Sequence, residues 1–362
     1  MQPRLIASLT NPAIHGPGVD RVEVIETHIS YVLLTGPYAY KIRKAVNLEF
    51  LDFTTLAARR FDCEEELRLN RPLAPSIYLG VVAITGTVDA PAIEGDGPVL
   101  EYAVKMRQFP QEALLSHLLS EGRLPPPDID ALAATIASFH AGAGVARPDT
   151  AFATAAQVLD VARQNISQIL PRLDSSCDRV ELEAIAQWTE REHAGRLSDF
   201  DERRRDGFVR ECHGDLHLGN IARVDNAITL FDRLEFNPAM RWIDVMSDVA
   251  FLVMDLQYRR RPDLAFRVLN AYLEQTADYG GLRVLRFYSA YRAMVRAKVA
   301  CFRADQGEYH GYAKLAARYF SQPRPALVVM HGLSGCGKTT LSQGLVESLG
   351  AIRIRTDVER KR

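Results

Sequence analysis

The sequence predicts an α+β chain in which a small antiparallel sheet lobe precedes a larger helical lobe, with an incomplete α/β segment at its C-terminal end. Three observations carry that expectation. Residues 22–44, VEVIETHISYVLLTGPYAYKIRK, alternate in polarity as short strands do. From residue 126 to about 304, apolar residues recur instead at helical spacing, with one conspicuous break at 209–233. Finally, Ala326–Met330 is an apolar run that leads into a glycine-rich loop and a further helical pattern.

The elements follow in order. Residues 1–20 read as an N-terminal extension and 21–110 as the sheet lobe. Gly36-Pro37 turns the second strand into the third. A helix is expected at about 54–72, where Leu56, Phe61, Leu67 and Leu73 recur among charges, followed by strands at Tyr78–Ile84 and Val99–Met106 joined by a hairpin loop. The helical lobe spans 111–320. Asp128 is expected to cap a helix carrying Ile129, Leu132, Ile136 and Phe139, and further helices are expected at about 153–171, 178–195, 242–258, 262–278 and 282–304. Residues 321–325 read as a linker and 326–362 as the α/β segment.

Composition narrows the function. The 362 residues carry 44 Lys and Arg against 45 Asp and Glu, so no surplus of positive charge favours a nucleic-acid partner. Five scattered cysteines, Cys63, Cys177, Cys212, Cys301 and Cys336, show no CxxC spacing, which suits a reducing compartment without a disulfide framework. The N-terminus lacks the apolar core of a signal peptide, and no run approaches the ~20 apolar residues of a membrane span. A cytoplasmic protein without a membrane partner is expected.

The most informative stretch is Cys212-His213-Gly214-Asp215-Leu216-His217-Leu218-Gly219-Asn220. After it, residues 221–224 and 228–231 alternate as strands around the turn pair Asp225-Asn226. A two-residue loop would set Asn220 opposite Phe231, and a three-residue loop would set it opposite Asp232. Either register leaves Asn220 and Asp232 between a few and roughly 8 Å apart. An amide oxygen and a carboxylate at a hairpin mouth form a hard oxygen site suited to Mg²⁺. Asp215 precedes Asn220 by five residues, the spacing of a kinase catalytic loop. Two other readings are an ordinary polar turn and a metallohydrolase site built on His213, Asp215 and His217 at i, i+2, i+4. The metallohydrolase would need later ligands, yet only His310 and His331 follow, outside any cluster. His213 is expected to support the loop.

The loop, the hairpin, Phe231-Asp232 and the later Asp248-Val-Ala resemble the aminoglycoside phosphotransferase family, a branch of the protein-kinase-like fold that includes choline and fructosamine kinases. The resemblance spans about 20–310 and implies a bilobal kinase-like fold, with 21–110 and 111–320 as its two lobes. It implies Asp215 as catalytic base, Asn220 and Asp232 as Mg²⁺ ligands, and Asp248, or alternatively Asp244, as the anchor beneath the catalytic loop. It also implies an ATP-binding lysine, Lys41 or else Lys44, paired with a glutamate of the 54–72 helix. Glu66 is preferred over Glu64 and Glu65 because it shares a face with Cys63, Leu69 and Leu73. Thr27-His-Ile-Ser30 stands where protein kinases carry a glycine-rich loop, and Asp232-Arg233-Leu234 replaces their DFG.

Gly332-Leu-Ser-Gly335-Cys-Gly337-Lys338-Thr339-Thr340 matches GxxxxGK[ST] between an apolar run and a helix expected from Lys338 to about Leu349. In that motif the glycines let backbone N–H groups cradle a phosphate at the helix N-terminus, the lysine reaches the β/γ-phosphates, and the first threonine reaches Mg²⁺. A second strand is expected at 351–355. This part resembles the opening of small P-loop kinases of the zeta-toxin and chloramphenicol phosphotransferase group. Two strands and one helix cannot cover a parallel sheet, so the sequence predicts a P-loop domain that continues in a longer chain. The combined order resembles bacterial proteins that join an aminoglycoside phosphotransferase to an AAA-type ATPase.

The implied activity is ATP- and Mg²⁺-dependent transfer of the γ-phosphate to a hydroxyl of a small molecule. The alternative is a non-catalytic nucleotide-binding module regulating its P-loop partner. Arg292, Arg296 and Arg303 lie on one helical face near Tyr288 and Tyr291, where they would either line a cleft for an anionic substrate or form a solvated, salt-bridged surface.

Overall fold

The alternating stretch at 22–44 folds as three antiparallel strands, β1 (Glu23–Glu26), β2 (Ser30–Leu34) and β3 (Tyr38–Arg43). The computed structural model describes residues 2–48, 51–321, 325–333 and 335–361, so residues 322–324 of the expected linker and Ser334 of the glycine-rich loop lie outside the described residues. Two units divide the chain: Met1–His117 with Asn220–Met240, and Leu118–Gly219 with Arg241–Arg362.

In the first unit, helix α1 (Gln2–Leu9) precedes the strands, and a short β4–β5 pair (Asn47–Leu48, Leu51–Asp52) leads to α2 (Leu56–Asn70). The sheet is completed by β6 (Tyr78–Gly86), β7 (Pro91–Ile93) and β8 (Val99–Arg107), in the antiparallel order β1-β2-β3-β8-β6-β7. Successive side chains of a strand point to opposite faces. On β3, Tyr40 and Ile42 therefore join Leu33, Val82 and Ile84 in one core, while Lys41 and Arg43 face α2. Leu5, Ile6 and Leu9 belong to that same core, so α1 packs within the unit and not as an extension before it.

The buried side of α2 carries Arg59, Asp62, Cys63, Glu66, Leu69 and Asn70. Of its expected apolar stripe, Phe61 is 66% exposed. The helix turns a polar face inward because the strand opposite presents two cations. The central hairpin, β10 (Ile221–Val224) with β11 (Ala227–Leu230), also belongs to this unit, and Ala222 and Val224 pack with Cys63, Tyr78 and Val104.

In the second unit, β9 (Val209–Glu211) pairs with β12 (Trp242–Asp244), which delays α9 to Val245–Tyr258 against the expected start at 242. Around them lie α4 (Pro126–Gly142), α5 (Ala155–Ile169), α6 (Ser176–Ala194), α7 (Leu197–Arg205), α10 (Pro262–Thr276), α11 (Leu282–Phe302) and α12 (Gln306–Arg318); α3 (Leu115–Ser120) and α8 (Pro238–Arg241) lie where the chain passes between units. Pro125, not Asp128, is the N-cap of α4. Pro126 and Pro127 occupy its first positions, where a missing N–H costs nothing, and Asp128 complements the helix dipole from the first turn. Every residue of α9 from Val245 to Leu256 is buried, as befits a helix that is apolar nearly all round. Asp244 caps it, and Arg203 bridges Asp244 and Asp278 through paired guanidinium bonds of 2.6–2.8 Å.

The C-terminal segment departs from expectation. Lys338–Leu349 is a helix, α13, followed by the turn α14 (Thr356–Glu359), but neither 326–330 nor 351–355 forms a strand, and Leu327 is 90% exposed. A parallel strand needs partners on its edges, and among the described residues none pairs with either run. The second run instead bonds to α10: Asn270 donates to the Ala351 carbonyl and accepts from the Arg353 N–H.

Candidate active site

In the second unit, β9 delivers the chain into the loop that carries Asp215, and α9 holds that loop from its buried side. The Asp248 carboxylate accepts the N–H groups of His213 at 2.7 Å and Gly214 at 2.9 Å. Seven residues along the same helix, Asp255 accepts the N–H of Leu218 at 2.9 Å. Gly214 has φ +86°, a conformation that glycine adopts without strain, and its carbonyl accepts Nη1 of Arg292 at 2.9 Å. Burial raises the cost of charge on Asp248, yet His140, His213 and Arg292 more than offset it and hold the carboxyl below its ordinary value.

Both loop histidines serve the loop itself. Nδ1 of His213 accepts the Asp215 N–H at 3.3 Å, and Nδ1 of His217 accepts the Gly219 N–H at 3.1 Å. Nε2 of His217 lies 3.4 Å from Oδ2 of Asp215. The Asp215 side chain is 38% exposed. Burial opposes its charge, but His217, His213 and Arg296 outweigh it and hold the carboxyl well below the usual carboxylate range. These bonds favour support of the loop over metal ligation by the histidines. Another buried cluster, His140, Cys212 and Asp248, brings its ligand atoms within 4.8 Å of one another. Its members are also engaged elsewhere: His140 with Tyr272, Cys212 with the Ile243 carbonyl, and Asp248 with the loop.

In the first unit, the hairpin closes with the two-residue turn Asp225-Asn226, both at positive φ, and Val224 pairs with Ala227. That register sets Asn220 opposite Phe231, whose N–H donates to the Asn220 carbonyl at 3.1 Å. Asp232 follows in a left-handed conformation, φ +58°, with its N–H donated to the Tyr78 hydroxyl at 3.1 Å and its side chain 42% exposed. Asn70 fixes the next residue by accepting the Arg233 N–H at 2.7 Å. Nζ of Lys41 lies 2.9 Å from Glu66 and 2.6 Å from Asp232. Burial works against its charge, and Asp232 and Glu66 reverse the effect, raising its pKa well above the ordinary lysine value. Glu64 pairs with Arg60, Glu65 with Arg68, and Lys44 with Glu26. Asp232 and Asn220 supply hard oxygen donors on adjoining positions of one hairpin, a set that fits Mg²⁺.

The predicted arginine stripe is bonded within the protein. Arg292 supports Gly214 and Ser247, while Arg296 and Arg303 both pair with Glu308. In the C-terminal loop, Gly332, Gly335 and Gly337 all have positive φ, and Nζ of Lys338 donates to the carbonyls of Gly332 and Leu333 at 2.7 and 2.6 Å. Thr339 and Thr340 lie exposed in the first turn of α13.

Sequence reasoning missed Asp255, Arg43, Asn70, Tyr78 and Glu235. Asp255 could have been found, because an acidic residue seven positions after Asp248 lies on the same face of an apolar helix.

Two mycobacterial proteins align with nearly the whole chain. "Uncharacterized protein Rv2004c" of Mycobacterium tuberculosis (strain ATCC 25618 / H37Rv) and "Uncharacterized protein Mb2027c" of Mycobacterium bovis are each 32% identical over 350 residues, covering 94% of this chain and 68% of the relative. The chain belongs to their family. An AAA domain family (AAA_33) matches residues 327–362 of this family member. Among solved structures, the GDP and kanamycin complex of APH(2")-IIia has a TM-score of 0.51 at 14% identity, covering 87% of this chain and 98% of that chain. A choline/ethanolamine kinase family protein from Mesorhizobium loti has a TM-score of 0.51 at 10% identity, covering 89% and 95%. The fold is therefore the protein-kinase-like one of aminoglycoside phosphotransferases and choline kinases, as the motifs predicted. No helix among the described residues is long and apolar enough to cross a membrane.

Proposed function

We propose that this chain is an ATP- and Mg²⁺-dependent phosphotransferase that acts on a hydroxyl of a small molecule in the cytoplasm. The observation that carries the reading is Lys41 bridging Glu66 and Asp232, with Asp232 held at the end of a hairpin that begins at Asn220. Asn220 follows Asp215 by five residues, so the base and the hairpin are tied together along the chain.

In this reading the Asp215 carboxylate orients the acceptor hydroxyl and takes its proton. The acceptor oxygen bonds to the γ-phosphorus as the bond to the β–γ bridging oxygen breaks, leaving ADP. Lys41 neutralises the α/β-phosphates, and Glu66 orients its ammonium. Asn220 and Asp232 would hold Mg²⁺, which when bound neutralises phosphate charge. Most of the rate enhancement comes from positioning and charge stabilisation. Free cysteines suit a reducing compartment.

The test is ATP consumption across a panel of metabolite alcohols, with Asp215→Ala beside the wild type. Acceptor-dependent turnover that vanishes in the variant while nucleotide binding persists supports the reading. Turnover unchanged in Asp215→Ala but abolished by Lys338→Ala overturns it, and favours a regulatory nucleotide-binding module.

A further inference from the structure

Arg43 lies two residues after Lys41 on β3, and so on the same face of the sheet, and its side chain is 0% exposed. Its guanidinium reaches three other parts of the first unit. Nη1 donates to the Ser30 hydroxyl at 2.8 Å, Nε lies 2.5 Å from Asp62, and Nη2 donates to Oε2 of Glu66 at 2.6 Å while also pairing with Glu235. The other oxygen of Glu66, Oε1, receives Lys41. One carboxylate is thus shared between a fully buried arginine and the lysine beside Asp232, and Glu235 ties the same arginine to the segment three residues past Asp232.

We propose that Arg43 is a positioning residue for this site: it fixes Glu66 and the segment that follows Asp232, so that Lys41 and Asp232 are aligned for the nucleotide. The inference rests on the phosphotransferase reading and deepens it. Its physical basis is geometric. A lysine that must exchange Asp232 for phosphate oxygens cannot by itself hold Glu66 in place, whereas the partners of Arg43, namely Ser30, Asp62, Glu66 and Glu235, include no residue assigned to phosphate or metal. Arginine suits the role because its planar fork bonds several carboxylates at once, and an ammonium cannot reproduce that fork.

The experiment measures binding of a non-hydrolysable β,γ-imido ATP analogue with Mg²⁺, alongside thermal unfolding, for the wild type, Lys41→Met, Arg43→Lys and the double variant Arg43→Gln/Glu235→Gln. The double variant removes a cation together with one of its three anions, so it strands fewer buried carboxylates than Arg43→Gln alone. Both Arg43 variants are expected to melt within a few degrees of the wild type yet bind the analogue about 10–100-fold more weakly, the usual cost of losing an outer support. A role in charge balance alone would be rescued by lysine. Wild-type affinity in Arg43→Lys, or in the folded double variant, overturns the proposal while a loss in Lys41→Met leaves the phosphotransferase reading standing. Absence of analogue binding by the wild type, or wild-type affinity in Lys41→Met, removes that reading and the proposal with it.

Discussion

Asp248 and Asp255 lie seven residues apart on α9, and each accepts main-chain N–H bonds from the loop that carries Asp215. Two full helical turns of one rigid, buried helix therefore set the spacing of the loop's two ends. Each N–H left without its acceptor costs about 1–3 kcal/mol. Asp248→Ala, which strands two, should lower stability more than Asp255→Ala, which strands one. Both should reduce turnover beyond any effect on nucleotide binding. Thermal unfolding and acceptor-dependent ATP consumption test the ranking, and an Asp255→Ala protein less stable than Asp248→Ala contradicts it.

Asp215 itself should be a base that is always ready. Its carboxyl lies well below the ordinary value of 3.8, so it is ionised at every pH above about 4. A depressed carboxyl favours the folded state above its unfolded value and loses that contribution only as the solution becomes strongly acid. Turnover should thus show no acid limb from Asp215 between pH 5 and 9, and Asp215→Ala should lower kcat by about 10²–10⁴-fold. His217→Ala removes the leading interaction that lowers the carboxyl and leaves burial opposed only by His213 and Arg296, so the carboxyl should rise. An acid limb should then enter the pH–rate profile, and a profile identical to the wild type would count against the pairing.

Glu235 behaves in the opposite sense. Burial drives its carboxyl up, Arg43 pulls it down, and the neighbouring Glu66 and Asp62 add to the rise, leaving it at about 8 against an ordinary 4.5. Between those values the folded protein holds a proton that the unfolded chain has released. Stability should therefore fall as pH rises from about 4.5 to 8 and level off above. Glu235→Gln should flatten that part of the wild-type slope. Melting temperatures at pH 6 and pH 9 decide the matter, since parallel shifts in the two proteins would exclude a proton on Glu235.

How much of this could be read from the sequence differs between the two kinds of residue. The strand alternation, the turn at Asp225-Asn226, the Asp215–Asn220 spacing and the Lys41–Glu66 pair depend on local period and on one register, which a single sequence carries. Arg43, Asp62 and Glu235 come from three places in the chain and meet only because β3, α2 and the segment after the hairpin converge. Their burial runs against the expectation that charges lie outside, so α2 looked like a helix with a conventional apolar stripe. The helices α7 and α12 were missed for simpler reasons. The sequence of α7, LSDFDERRR, has almost no apolar face, and α12 carries glycines that weaken the pattern. Gly311 of α12 sits where a Cβ would come within 2.9–3.4 Å of the Tyr258 ring, so packing requires a residue that propensity disfavours.

The C-terminal segment offers a last test, because its seat on α10 is built from specific contacts. Glu347 pairs with Arg267 at 2.7 Å, and Glu274 meets Arg353 at 3.4 Å and Arg355 at 2.8 Å. At the end of α13, Gly350 adopts φ +65°, and a Cβ there would lie 2.6–3.0 Å from the Phe266 ring. Only glycine satisfies both the left-handed backbone and the aromatic contact. Gly350→Ala should therefore cost about 1–2 kcal/mol from the backbone alone, with the clash in addition. Glu274→Lys should act at the other end by setting three positive charges together. Either change should release the segment without unfolding the helices beneath it, so backbone amides of 338–355 should exchange faster while those of α9 and α11 keep their protection. Uniform loss of protection across α9, α10 and α13 would mean that the segment is an integral part of the helical core and not a docked one.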